Sequence, residues 1–130
     1  MMAKFSFELV SPESLLISSE VDAVTLPGSE GEFQVLAEHA PFLALLGPGI
    51  VTVTGAEGGD KRIFIDGGFC DVSATTCSVL AEAAVAAEDA ADRVDAIVAD
   101  AEKTAATLQG HALDDAHRRL ATLKTIRAAL

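Results

Sequence analysis

The chain has 130 residues, half of them hydrophobic, with 9 basic and 20 acidic side chains and a formal charge of −11. That is enough apolar material for one compact domain, or for a small domain with an appendage, and it excludes a chain disordered by composition. So acidic a surface repels phosphate backbones and anionic lipid, which removes nucleic acid and a bare membrane surface as expected partners.

No apolar run approaches the roughly 18 residues of a spanning helix, and residues 1–7 lack the long apolar stretch of a signal peptide, so a soluble intracellular protein is expected. In chain order, Phe5, Phe7 and Leu9 alternate with Ser6 and Glu8, the pattern of a half-buried strand. Val21, Ala23 and Thr25 alternate with Asp22, Val24 and Leu26 until Pro27-Gly28 ends the run. Phe33, Val35 and Ala37 follow the Gly31 turn. Residues 50–54 are β-branched throughout, and residues 62–66, 69–72 and 77–81 complete a series punctuated by Gly58-Gly59, Gly67-Gly68 and Ser73 to Thr75. Strands this short and this regularly interrupted predict an antiparallel sandwich or flattened barrel.

The grammar changes near residue 81. All six Phe, all four Pro and nine of the ten Gly precede it, whereas the remainder is rich in Ala and reads as helix. Val94, Ile97, Val98, Ala101, Ala105 and Leu108 recur at helical spacing within residues 89–108, opposite Asp92, Asp95, Asp100 and Lys103. Gly110 is the expected helix stop. Leu113, Ala116, Leu120, Leu123, Arg127 and Leu130 line a second helix, with Ile126 widening its stripe. A link this short predicts an antiparallel hairpin, marginal alone because Ala supplies much of the stripe. The predicted organisation is a β-sandwich over residues 1–85 and a helical hairpin over residues 86–130.

Chemistry-bearing constellations are sparse. The chain has no G-x-x-x-x-G-K-[ST], G-x-G-x-x-G, C-x-x-C, H-E-x-x-H or G-x-S-x-G pattern, and no catalytic residue, metal site or cofactor is expected. Cys70 and Cys77 do not amount to a disulfide framework or a zinc site. On a hairpin turning near Ala74-Thr75, Val72 faces Cys77 and Cys70 faces Val79, leaving the cysteines diagonal, too far apart for an easy bridge, and read as small buried hydrophobes. His111 and His117, six apart, miss a shared helix face. His39, beside Glu38, has no nucleophile next to it in sequence, so a surface contact or a loop hydrogen bond is the commoner role for such a residue. Glu30 and Glu32 flank Gly31 and could bind a cation, although paired carboxylates in a turn are more often solvated.

The stretch Val24-Thr25-Leu26-Pro27-Gly28-Ser29-Glu30-Gly31-Glu32-Phe33-Gln34-Val35-Leu36-Ala37-Glu38-His39-Ala40-Pro41, continued by an apolar run over residues 42–46 and by Gly47-Pro48-Gly49, resembles the signature of the epsilon subunit of bacterial F-type ATP synthases (delta in mitochondria). Gly67-Gly68-Phe69, Val72-Ser73, Val79-Leu80-Ala81-Glu82 and Glu88-Asp89 extend the resemblance in order along the chain. The resemblance implies an α+β fold, a ten-stranded antiparallel β-sandwich followed by an antiparallel two-helix hairpin. It implies a non-catalytic central-stalk subunit that binds gamma and the c-ring and couples proton-driven rotation to ATP synthesis. Such a subunit lies on the cytoplasmic face of the bacterial plasma membrane and meets the membrane only through the complex. By motif, Glu32 and His39, with Glu30, become the expected c-ring contacts; the acidic loop suits basic loops by complementary charge.

In many bacterial members the hairpin can extend along gamma and brake hydrolysis against the alpha/beta head, and in some the folded hairpin binds ATP. Arg93, Arg118, Arg119, Lys124 and Arg127 are the basic side chains available for such regulation. Several positions depart from the family pattern. Gln34 replaces a common Gly, and Ala37-Glu38 replace a common Pro-Gly. The Asp-x-x-Arg of ATP-binding members is broken, with Ala90 three residues before Arg93, and Thr125 and Ala129 stand where further arginines are usual. The resulting expectation is no nucleotide binding, a hairpin folded with or without ATP, and a weak brake. A free-standing ligand-binding module or a hydrolase are the competing readings; the first lacks Trp and Tyr for a pocket, the second a nucleophile motif.

Overall fold

A computed structural model describes residues 4–130; residues 1–3, part of the segment read for a leader, lie outside them. The chain forms two compact units, one ending at Ala86 and one spanning Ala87–Leu130. Eight strands build the first: β1 (Phe5–Val10), β2 (Leu15–Val21), β3 (Ala23–Gly28), β4 (Gly31–Leu36), β5 (Phe42–Thr54), β6 (Lys61–Val72), β7 (Thr76–Ala81) and β8 (Ala84–Ala86). Their order is β2-β1-β7-β6-β5-β3-β4, with β8 also pairing β6.

β1, β2 and β7 do not neighbour β3 and β4 in the sheet, yet Phe7, Ile17 and Cys77 share one buried cluster with Val24, Leu26 and Val35. The sheet therefore folds over on itself, and the inward positions of its two halves close a single core. β5 and β6 run through both halves, 13 and 12 residues long, paired from Phe42↔Val72 to Val53↔Lys61. They bend around Gly47-Pro48-Gly49, where the pairing runs Leu46↔Gly68, Pro48↔Asp66 and Gly49↔Ile65. The expected ten strands are thus eight among the described residues: each long strand, interrupted in sequence by Gly and Pro, continues through its bend and serves both layers.

The expectation of purely antiparallel pairing is also corrected, because β1 and β7 pair in parallel, Phe7 opposite Cys77 and Leu9 opposite Val79. A parallel pair requires a long crossover, and the chain from β2 to β6 provides it. β2 and β8 escaped the sequence reading. Leu15 and Leu16 of β2 are both exposed, and Ile17 is buried, which spoils its alternation; β8 has only three residues.

In the second unit a 3₁₀ turn, Ala87–Asp89, precedes α1 (Ala91–Ala105) and α2 (Gly110–Ala129). The apolar stripes meet as the periodicity predicts, with Val94, Ala105, Leu120 and Leu123 buried. Two cross-helix ion pairs span the antiparallel hairpin: Asp95 with Arg127 at 2.8 Å and Glu102 with Lys124 at 3.8 Å. Gly110 is not the stop of α1 but the first residue of α2, with φ +63°. The first helix ends earlier, where the Ala106 N–H donates to the Glu102 carbonyl and the Thr107 hydroxyl donates to that of Thr104.

Because every strand lies before Ala87, truncation after Glu88 is expected to leave a β-rich fragment that melts cooperatively by circular dichroism. A fragment without a cooperative transition contradicts that boundary.

Candidate functional site: the outer sheet face and the β3–β4 rim

Three regions carry the side chains that could meet a partner. The first is the rim around β4. Ser29-Glu30 is the two-residue turn between β3 and β4, closed by the Gly28↔Gly31 pair. A Cβ on Gly28 would lie 2.5 Å from the Gly31 carbonyl oxygen and 3.0 Å from the Phe33 ring, which explains the glycine. The Ser29 N–H donates to the Leu45 carbonyl at 3.0 Å and ties this tip to β5. Glu30 and Glu32 are exposed there.

His39 follows the other end of β4. Its ring lies 5.1 Å from that of Phe42, which in turn meets Phe33 edge-on at 5.5 Å. His39 Nδ1 lies 3.0 Å from the Ala40 carbonyl, which can only accept, so Nδ1 carries the proton. The fold thus packs His39 onto aromatic side chains at the edge of the core. Phe33 belongs to that cluster, whereas Glu32 takes the alternate position on the strand, so the three expected c-ring residues share one rim without forming a single cluster.

Glu38 has φ +62° and is the only non-glycine residue among those described with positive φ. Its N–H donates to the Ala74 carbonyl at 3.0 Å, holding the loop against the β6–β7 turn. The left-handed conformation disfavours a Cβ, and the Glu38 side chain is exposed. Glu38→Gly is therefore expected to stabilise the domain by about 0.5 kcal/mol, the relief of strain outweighing the added freedom of the unfolded chain. Thermal unfolding checks it.

The second region was missed in sequence. On β5, β6, β7, β1 and β2, the outward positions Leu45, Phe69, Leu80, Val10 and Leu15 are successive cross-strand partners. They form one apolar row about 20 Å long, at roughly 4.8 Å per strand. Leu45 is 65 % exposed, Leu80 56 % and Leu15 58 %. The signal was available, since Leu43 and Leu45 alternate with Phe42, Ala44 and Leu46 and leave that half of β5 apolar on both faces. Such a strand expects cover on both sides.

One pleat further along, the partners become Ser18, Glu8, Ser78 and Asp71, and beyond them Glu20, Ser6 and Thr76. These polar rows line a shallow cavity of about 370 Å³ bounded by Ser6, Glu8, Ser18, Glu20, Thr76 and Ser78. The Ser6 hydroxyl donates to a Glu20 carboxylate oxygen at 3.2 Å. An apolar stripe thus borders an acidic, hydroxyl-lined trough.

The third region is the basic set on the hairpin. Arg93 is exposed near the start of α1. Arg127 and Lys124 are engaged by Asp95 and Glu102, and Arg118 by Asp115 one turn earlier. Arg119 lines a small groove between the helices, about 120 Å³, with Ile97, Asp100 and Thr104. Pairs as exposed as these contribute little each. His111 and His117 are exposed on α2. Among the described residues, no group of three or more His, Cys, Asp or Glu could hold a metal ion.

The sequence and the fold match known proteins. The family model for the beta-sandwich domain of the ATP synthase delta/epsilon chain matches residues 4–87. The chain is 43 % identical to the ATP synthase epsilon chain of Mesorhizobium japonicum, covering 100 % of this chain and 98 % of that one. The chain belongs to the ATP synthase delta/epsilon family. The epsilon chain of Nitrobacter winogradskyi is 45 % identical, with 99 % and 96 % covered. A chain in the Euglena gracilis mitochondrial ATP synthase, solved with OSCP, F1 and the c-ring, superposes with a TM-score of 0.75 at 25 % identity over 98 % of this chain and 81 % of that one. A chain of the Tetrahymena thermophila central stalk and c-ring shares the fold, with a TM-score of 0.70 at 12 % identity over 98 % and 96 %.

Membership fixes the coarse function, that of a non-catalytic stalk subunit of an ATP synthase, with catalysis in other subunits. Among the described residues no helix is long and apolar enough to cross a membrane.

Proposed function

We propose that this chain is the rotor subunit that bridges gamma and the c-ring on the cytoplasmic face of a bacterial plasma membrane and transmits rotation between them. The observation that carries the reading is the outward apolar row Leu45, Phe69, Leu80, Val10 and Leu15. A row of that length on a single sheet face is a docking surface in search of cover, and gamma is the occupant that membership suggests. The closed core beneath it suits torque transmission, because packed interiors deform little.

The rim of Glu30, Glu32 and His39 is assigned to the c-ring. Two exposed carboxylates at a hairpin tip attract basic loops, and His39, fixed on Phe42, offers a positioned polar edge. Glu32→Lys should lower proton-driven ATP synthesis in reconstituted vesicles several-fold and loosen the soluble head from the membrane sector, with His39→Ala acting in the same direction. Unchanged synthesis and attachment in both variants would remove the rim from the interface.

The hairpin is assigned a weak regulatory role toward the alpha/beta head. Lys124, Arg127 and Arg118 are already partnered within the folded hairpin, so extension would exchange existing ion pairs for new ones with little net gain. ATP hydrolysis by the head assembled with full-length chain should rise less than about twofold after truncation at Glu88, as such weak pairs imply. A several-fold rise, or a change in hairpin amide exchange on adding millimolar ATP, would contradict the weak brake.

A further inference from the structure

Cys70 on β6 and Cys77 on β7 are the only cysteines of the chain. Their strands pair as the sequence predicts, Cys70 opposite Val79 and Val72 opposite Cys77, so the two thiols occupy diagonal inward positions. The distance is what differs from expectation. The sulfurs lie 3.8 Å apart, within S–H···S hydrogen-bonding range. Strand twist brings one diagonal of an antiparallel pair closer than a flat ladder does, which the flat register count overlooks. Both thiols are free and fully buried.

We propose that Cys70 and Cys77 form a reversible dithiol–disulfide site, in which two-electron oxidation by a peroxide joins the sulfurs and ties β6 to β7. The Cys70 sulfur attacks a peroxide oxygen and becomes a sulfenic acid, and one water leaves. The Cys77 sulfur then displaces the hydroxyl as a second water and forms the S–S bond. Two hydrogens leave the sulfurs, and one peroxide is reduced to two waters. The hydrogen bond between the thiols, in which either sulfur can donate, holds the two reacting atoms together. It lowers the proton affinity of Cys70 against the opposing pushes of burial and Asp71. The same bond, with burial, raises that of Cys77.

A buried cysteine is ordinarily inert, and burial makes this reaction slow. What distinguishes the pair is the second sulfur in contact, which captures an oxidised Cys70 before further oxidation. Bond formation to about 2.0 Å needs each side chain to shift by about 1 Å, the scale of a small rotation about Cα–Cβ. Cys70 lies between Phe69 and Asp71, and Cys77 lies one residue before Ser78, so the bridge sits directly beneath the outer docking face. The site stands whether or not gamma occupies that face.

The test treats the full-length folded chain with millimolar hydrogen peroxide for hours, unfolds it in guanidinium with N-ethylmaleimide, and records the intact mass. The expected product is lighter by two hydrogens, carries no maleimide, reverts with dithiothreitol and melts several degrees higher than the reduced chain. Cys77→Ala should instead stop with added oxygen on Cys70, and circular dichroism confirms that this variant is folded. Three outcomes overturn the proposal: both thiols still alkylated after peroxide, both carried to sulfinic acid without a bridge, or linkage only between separate chains. The wild-type measurement needs no substitution, so misfolding of a variant leaves it decisive.

Discussion

Leu80→Glu is expected to weaken binding to gamma by roughly 100-fold while leaving the domain folded, as removal of a central hot spot does. Leu80 stands at the middle of the outer apolar row, between Phe69 on β6 and Val10 on β1. In the free chain its side chain is 56 % exposed, so a carboxylate there meets mainly water. The loss of stability should stay near 0.5 kcal/mol, as for ordinary surface changes. Covered by a partner, the same carboxylate is desolvated without a counter-charge, which costs far more. Phe69→Ser should act in the same direction by removing the aromatic anchor without adding charge. The measurement is calorimetric titration or co-elution with gamma, with thermal unfolding as control. Wild-type affinity in both variants would show that gamma docks elsewhere.

Gly68→Ala carries the largest expected effect on folding. Gly68 sits at the bend of β6, paired with Leu46 on one side and Ala81 on the other. A Cβ at this position would lie 2.4 Å from the Leu80 carbonyl oxygen and 2.9 Å from the Ala81 Cα. Both are backbone atoms held in the ladder, so no side-chain rotation relieves the clash. Backbone displacement and partial loss of the β6–β7 ladder should cost about 3 kcal/mol, the upper range for local strain. Gly58→Ala is the contrasting case. Gly58 has positive φ but nothing near its absent Cβ, so its penalty is limited to backbone conformation, about 1 kcal/mol. Denaturant unfolding of the two variants separates them, and equal losses would mean that the bend tolerates a side chain.

Much of this architecture was legible because it rests on local patterns. Alternation in β1 marks one face as core, and the same face is buried in the fold. Helical spacing identified Val94, Leu120 and Leu123 before packing confirmed them. The register of Cys70 and Cys77 followed from turn placement alone, since a hairpin turn fixes its flanking pairs. The c-ring role of Glu30, Glu32 and His39 came only through family resemblance, because an exposed carboxylate or histidine has no local signature of its role.

The remaining features depend on groups distant in sequence. No run of residues reports that Leu45, Phe69, Leu80, Val10 and Leu15 lie side by side, because each is a solitary outward hydrophobe on a different strand. Long-range pairing assembled them. The parallel β1–β7 pair and the bends that make eight strands serve as ten depend likewise on which ladders the whole chain can satisfy at once. The sulfur separation depends on how the paired strands and both side chains are placed in the assembled sheet. Local periodicity thus determined the elements and their buried faces, and only the tertiary structure decided which exposed groups became neighbours, since strand pairing joins residues whose separation along the chain carries no energetic signal until the sheet has closed.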